Sequence, residues 1–139
     1  MKLLILGGTV FLGRHIVAAA LEAGHSVTTF NRGTHVLEEH VTIEKLHGDR
    51  EKNLDALQNR SWDAVIDTCG YNPDVVSKSA DALKNSADNY VFISSISVFK
   101  TFPVRGMNES APDVSSLPVH RSDAFNLLMF AIWQSGQYA

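Results

Sequence analysis

The sequence predicts an α/β domain with a doubly wound parallel sheet, and three observations predict it. Short apolar or β-branched runs recur along the chain, helical patterns or irregular segments separate them, and glycine-rich or polar corners follow the runs at their carboxyl ends. The chain has 139 residues, room for one domain over its whole length. Hydrophobic residues make up 45% and charged residues 19%, an ordinary globular composition far from that of disorder. Twelve Lys and Arg against fifteen Asp and Glu leave a formal net charge of −3, which argues against nucleic acid as a partner. Cys69 is the single cysteine, so no disulfide framework exists within the chain and a reducing, cytoplasmic compartment is expected. No apolar run approaches the roughly 18 residues of a membrane span, so no membrane partner is expected.

Lys2 to Leu6 is apolar without alternation, as befits a strand buried on both faces of a parallel sheet, and Gly7-Gly8 end it. Leu12, Ile16, Val17, Ala20 and Leu21 recur at helical spacing between Leu12 and Ala23, with Gly24 as the stop. His25 to Phe30 (HSVTTF) is a second, β-branched strand, turned by Asn31-Arg32-Gly33. Residues 34–39 are polar, a loop or a short helix. Val41 to His47 is a third strand closed by Gly48-Asp49, and Lys52 to Asn59 forms a short helix through Leu54 and Leu57. Trp62 to Thr68 (WDAVIDT) is a fourth strand leading into Cys69-Gly70-Tyr71. Pro73 opens a helix over Asp74 to Ala87, with Val75, Val76, Ala80 and Leu83 on one stripe. Tyr90 to Ile93 (YVFI) is a fifth strand entering Ser94-Ser95.

The beginning of the chain also imitates a secretory signal peptide, with Lys2, the stretch Leu3 to Leu12 and the small residues Ala18-Ala19-Ala20. Three glycines interrupt or end that stretch, and Arg14-His15 separate it from the alanines, which sit inside the helix pattern. The expectation is therefore a strand, a turn and a helix.

Right-handed crossovers place a ligand crevice at the carboxyl ends of such strands. Gly7 to Gly13, Asn31-Arg32, Asp49-Arg50, Cys69-Gly70-Tyr71 and Ser94-Ser95 all fall there. The loop Gly7-Gly8-Thr9-Val10-Phe11-Leu12-Gly13 follows a strand and opens a helix, the setting of a dinucleotide fingerprint. It resembles the GxxGxxG loop of extended and atypical short-chain dehydrogenases/reductases, the NAD-dependent epimerase/dehydratase family. Phe-Leu-Gly closing the loop, Gly-Asp after the third strand and Ser-Ser after the fifth strengthen that resemblance, which covers Met1 to about Val98.

The resemblance implies a Rossmann-type NAD(P)-binding domain in which backbone N–H groups near Phe11 and Leu12 face a pyrophosphate, helped by the helix dipole. Val10 departs from the commonest pattern, because it stands at the middle glycine position and its isopropyl group would crowd the pyrophosphate or fix a different loop. The same corner could also use its glycines for geometry alone. An NAD-preferring site usually places Asp or Glu after the second strand, whereas this chain has Asn31 and Arg32. Arg32 could pair bidentately with a 2′-phosphate, so NADP is expected over NAD; its other reading is an exposed turn arginine. By resemblance Asp49 meets the adenine amino group, Arg50 covers the ring, and Cys69-Gly70-Tyr71 with Ser94 line the adenosine side. Cys69 is otherwise a small core residue without a nearby His to activate it, and Tyr71 is otherwise packing.

Ser95-Ile96-Ser97-Val98-Phe99 resembles the family's Ser-x-x-Val-Tyr segment and puts Ser95 at the catalytic serine position, with Phe99 for the usual Tyr and Lys100 for the usual Gly. The Tyr-x-x-x-Lys pair that completes such catalysis is missing: Tyr71 precedes Val75 by four residues, Tyr90 precedes Ser94, and Tyr138 is followed by Ala139 alone. The family's later strands and C-terminal substrate lobe are missing too, so cofactor binding with little or no turnover is expected, and a small-molecule substrate only if that lobe is supplied. Residues 113–139 form an atypical apolar tail. Asp123 leads into Ala124 to Trp133, apolar almost all round a helical wheel. This helix could cover the sheet, carry a homodimer, or reflect a reading-frame interruption near Leu127. The six histidines are scattered and suggest no metal site. Two further functional readings stand beside the oxidoreductase one. The first is a cofactor-sensing regulatory module, and the second an RNA-associated protein resembling chloroplast stem-loop-binding proteins, which share a GGTxF-type loop.

Overall fold

The computed structural model describes residues 1–35 and 42–94, together with the backbone of a strand at Ile132–Gln134. The elements run β1 (Lys2–Leu6), α1 (Leu12–Glu22), β2 (Ser26–Asn31), β3 (Glu44–His47), a 3-10 turn (Asp55–Leu57), β4 (Trp62–Asp67), α2 (Pro73–Leu83), β5 (Ala87–Phe92) and β6 (Ile132–Gln134). The sheet order is β3-β2-β1-β4-β5-β6. Strands β1 to β5 pair in parallel and β6 pairs antiparallel with β5. The predicted doubly wound parallel sheet is therefore present.

Strand β1 lies at the centre, and its unbroken apolar run is explained by two cores. Leu4 and Leu6 point into one with Leu54, Leu57, Trp62, Val65, Val76, Leu83, Tyr90 and Phe92. Leu3 and Ile5 point into the other with Val17, Ala20 and Val27, beneath α1. Alternate residues of a strand face opposite sides, so only a strand covered twice needs both sets apolar. Helix α1 comes down on its sheet through Gly13, Val17 and Ala20. A Cβ on Gly13 would stand 2.8 Å from the Gly8 Cα and 2.9 Å from its N, so backbone meets backbone there.

The amino end of α2 is fixed by local chemistry. The Asn72 side chain accepts a hydrogen bond from the Asp74 N–H at 2.9 Å, Pro73 occupies the first turn, and Asp74 places a negative charge near the dipole's positive end. The helix stops at Leu83, four residues short of the expected Ala87, which instead opens β5 in register with Trp62. A hydrogen bond from the Trp62 N–H to the Ser86 carbonyl at 2.8 Å starts that pairing, a long-range contact that overrides alanine's helical preference.

Other boundaries differ for similar reasons. Strand β3 covers Glu44–His47 rather than beginning at Val41, which lies outside the described residues. It is a short edge strand with charged exposed positions, a form that discourages further pairing. Glu44 accepts from Arg60 at 2.7 Å and from the Thr28 hydroxyl at 3.0 Å, and the Arg60 hydrogen bond holds its carboxyl below the usual range. The helix expected over Lys52 to Asn59 is a single 3-10 turn, although Leu54 and Leu57 are the buried anchors it was read from. Ile132 and Trp133, expected in an apolar helix, are in a strand, because the unpaired edge of β5 accepts their backbone. The rest of that predicted helix lies outside the described residues, as does Ser95.

Two stability outcomes follow. The Thr29 hydroxyl is buried without a hydrogen-bond partner among the described residues. Thr29→Val should therefore raise unfolding free energy by about 1 kcal/mol, seen as a higher urea midpoint. Gly13→Ala should lower it by about 1–3 kcal/mol through overpacking against Gly8, despite alanine's better helix propensity.

Candidate functional site

From β1 the chain proceeds outward to β2 and β3, then crosses back to β4 on the opposite side of β1. The carboxyl end of β1 is thus the point where the winding reverses, and a crevice must open there because the two connections diverge. Gly7 and Gly8 begin the corner with φ of +99° and +84°. A Cβ on Gly7 would meet the Thr68 hydroxyl at 2.6 Å, so the turn fits only without a side chain. Phe11 then takes φ of +36°, an unusual value for a bulky residue, and caps α1 with its backbone alone. The Gly13 and Arg14 N–H groups close the turn on the Val10 and Phe11 carbonyls at 3.0 and 3.1 Å, no side chain caps the helix and its first turn has no acidic residue, so the positive end of the helix dipole borders the crevice without a protein anion.

The surrounding loops are braced before any ligand arrives. The Asn31 amide donates to the Gly7 carbonyl at 3.3 Å, and its Oδ1 accepts from the Gly33 N–H at 2.8 Å. Thr68 binds the Leu6 carbonyl through its N–H at 3.0 Å and its hydroxyl at 2.9 Å. Gly48 lets the Phe30 ring lie where a Cβ would be, 2.6 Å from Cε2. Beside it, Asp49 receives the Glu51 N–H at 3.1 Å on Oδ1, and the exposed Lys52 ammonium stands 3.6 Å from Oδ2.

A buried ion pair lies at the far side of this crevice. Arg50 makes a bidentate contact with Asp67, Nη1 to Oδ1 at 2.8 Å and Nη2 to Oδ2 at 2.7 Å. The Ser79 hydroxyl accepts from Nη2 at 2.9 Å and Nε at 3.2 Å, and donates to the Val75 carbonyl at 2.9 Å. Asp67 also accepts from the Tyr90 hydroxyl at 2.7 Å and the Cys69 N–H at 3.2 Å. Burial, then the charge and hydrogen bond of Asp67, push the Tyr90 phenol far above its ordinary value, so it remains a donor. Burial opposes the Arg50 charge, but the hydrogen bonds and charge of Asp67 outweigh it and hold the guanidinium more firmly protonated than usual. Burial and then Asp67 also raise the Cys69 thiol, which keeps it neutral and unsuited to attack. Removing one partner of such a pair costs about 3–5 kcal/mol, because the other is left charged and buried.

These loops enclose one cleft of about 410 Å³. Of the residues expected at a site, Gly7, Gly8, Thr9, Val10, Phe11, Leu12, Gly13, Asn31, Arg32, Asp49, Arg50, Cys69 and Tyr71 line it. Val10 and Phe11 stand on its rim, 58% and 81% exposed, and Tyr71 is 72% exposed. Gly70 sits behind the wall, where a Cβ would collide with Val76 and with the Phe92 ring. Ser94 is half-buried after β5 and is not among the lining residues. Arg50 lines the cleft, but its N–H groups turn inward to Asp67, Ser79 and the Cys69 sulfur (3.5 Å) rather than outward. Thr34, His35 and Glu51 line the cleft without having been anticipated, since polar loop residues give no periodic signal. Asp67, Ser79 and Tyr90 were also not anticipated, because each lies inside a strand or helix pattern that reads as core.

Among the described residues no group of three or more His, Cys, Asp or Glu side chains is placed to hold a metal ion. No helix among them is long and apolar enough to cross a membrane.

Several solved structures share this architecture. A short chain dehydrogenase family protein from Francisella tularensis subsp. tularensis SCHU S4 is 18% identical, with a TM-score of 0.58 over 73% of this chain and 54% of that one. MoeE5 in complex with UDP-glucuronic acid and NAD is 19% identical, with a TM-score of 0.68 over 91% and 46%. The dTDP-glucose 4,6-dehydratase of Bacillus anthracis in complex with NAD is 14% identical, with a TM-score of 0.67 over 91% and 47%. This chain spans about half the length of those proteins. At such identities the likeness establishes the fold. No curated protein matches the sequence. The family model of NAD dependent epimerases and dehydratases matches residues 3–96, which include the glycine corner, the Arg50–Asp67 pair and the end of β5, and the chain accordingly belongs to the NAD-dependent epimerase/dehydratase family.

Proposed function

We propose that this domain binds a nicotinamide dinucleotide, with NADP preferred over NAD. The observation that carries the reading is the start of α1, which has no side-chain cap and no acidic residue, presented by glycines at the sheet's winding reversal and bordering the cleft. The fit of these residues to the group is good: the glycines let the corner turn tightly against Thr68 and bring the first turn of α1 onto Gly8, and that turn, with no side-chain cap and no acidic residue, suits a pyrophosphate. The corner Gly7 to Gly13 would hold the pyrophosphate and Asp49 would accept the adenine amino group, with Cys69 and Tyr71 beside the adenosine ribose and Gly70 and Ser94 supporting that wall. Arg32, on the rim after β2 where an NAD-selective site usually carries a carboxylate, would take the 2′-phosphate. NAD-bound relatives such as MoeE5 support a nicotinamide coenzyme without distinguishing its phosphorylated form.

When bound, the coenzyme would supply hydride acceptance or donation. Ser95, just beyond β5, would hold the oxygen of an alcohol or ketone substrate such as a sugar nucleotide. The Tyr-x-x-x-Lys pair that would move the proton is not in this sequence, so this chain alone should bind coenzyme with little turnover. A cytoplasmic location suits the single thiol of Cys69.

Calorimetric titration tests the preference. NADP should bind at least tenfold more tightly than NAD, and Arg32→Ala should remove most of that difference while changing NAD affinity less than twofold. Equal dissociation constants for the two coenzymes would defeat the 2′-phosphate assignment. In a separate assay, robust NADP-dependent oxidation of an alcohol by the purified chain would contradict the expectation of low turnover.

A further inference from the structure

Strands β3 and β4 both contribute to the cleft, yet β2 and β1 lie between them in the sheet. Three strand spacings separate their ends, roughly 14 Å, so no backbone ladder fixes one loop against the other. Arg50 follows β3, Asp67 ends β4, and their bidentate contact closes that distance. The bridge is anchored from two further elements, by Ser79 of α2 on the guanidinium and by Tyr90 of β5 on the carboxylate. Lys78 adds an outer tie from α2, donating to the Glu51 and Lys52 carbonyls at 3.4 and 3.2 Å.

The hydrogen-bond inventory separates a brace from a ligand contact. A guanidinium has five N–H donors, and those of Arg50 are directed to Asp67 twice, Ser79 twice and Cys69 once. The Asp67 carboxylate receives two bonds on each oxygen and is wholly buried. Neither group has a hydrogen-bonding position left for a nucleotide. What the pair does set is the position of Asp49, the carboxylate next in the chain, relative to Cys69 and the glycine corner.

We infer that Arg50 and Asp67, clamped by Ser79 and Tyr90, are positioning residues that preform the adenosine half of the cleft and give no hydrogen bond to the nucleotide. This rests on the reading that the cleft takes a nucleotide. A preformed wall spares the ligand the entropy of ordering two loops, so loosening the brace weakens binding without removing a contact. The effect is confined to ligands that use the adenosine half. The glycine corner is held by separate bonds, from Asn31 and Thr68, and should be indifferent to it.

Arg50→Lys keeps the charge and removes the planar fork, while Ser79→Ala leaves the ion pair and removes one clamp. Each variant is titrated with ADP by calorimetry and with inorganic pyrophosphate by NMR, at a temperature where its circular dichroism matches wild type. The expected result for Arg50→Lys is ADP binding at least tenfold weaker with pyrophosphate binding unchanged within twofold. Ser79→Ala should show the same split with a smaller loss, about threefold, and decides the matter if Arg50→Lys does not fold. ADP affinity within twofold of wild type in the folded variants, or a parallel loss of ADP and pyrophosphate, would overturn the brace. Wild-type protein that does not bind ADP would instead bring down the nucleotide reading, and this inference with it.

Discussion

Backbone contact between Gly13 and Gly8 is the constraint on which the rest of the molecule depends. Neither residue has a side chain, so the first turn of α1 approaches the end of β1 more closely than any other residue pair would allow. That closeness sets the amino-terminal turn of the helix, with the positive end of its dipole, beside the crevice where the sheet reverses its winding. It also seats Val17 and Ala20 on Leu3 and Ile5, forming the smaller of the two cores. Fold and candidate site therefore share one contact. A substitution there acts on packing and on the anion-facing corner together.

The two halves of the cleft are organised by different kinds of bond. Around the glycine corner the ties are neutral and mostly to backbone, as in Asn31 to Gly7 and Thr68 to Leu6. Across the adenosine half, the tie is a charged pair in a place almost closed to water. Burying charge is favourable only when every lone pair and proton is used, which the convergence of Arg50, Asp67, Ser79, Tyr90 and Cys69 achieves. A buried ion pair adds little net stability over an apolar equivalent, whereas its directionality fixes one arrangement of loops. Here the arrangement it fixes is that of a cleft wall.

Much of the fold was legible in the sequence because its signals are local. The unbroken run Lys2 to Leu6, the Gly7-Gly8 corner and Pro73 at the start of α2 each carry their own physical reason within a few residues. The same holds for Leu54 and Leu57, whose burial was readable even though the segment between them makes one turn and not a helix. Less legible were positions decided by distant partners. Ala87 belongs to a strand because Ser86 bonds Trp62, and Ile132 and Trp133 pair with β5 although their apolar neighbours suggest a helix. At the candidate site, the cleft-lining glycines and Arg32 could be found from their place after strands. Ser79 could not, since a serine in a helix stripe reads as an interruption until an arginine is seen to reach it.

The sequence by itself determined the order of β1 to β5, their parallel sheet and the corner of glycines, because periodicity and backbone sterics act over a few neighbouring residues. Only the tertiary structure decided that Arg50 faces inward, that Asp67 and Tyr90 belong to the cleft's support, and that β3 and β4 are joined beneath it. The physical reason is distance along the chain. Charge pairing and hydrogen bonding between residues 17 to 29 positions apart depend on which strands lie between them, and that order exists only once the sheet is assembled.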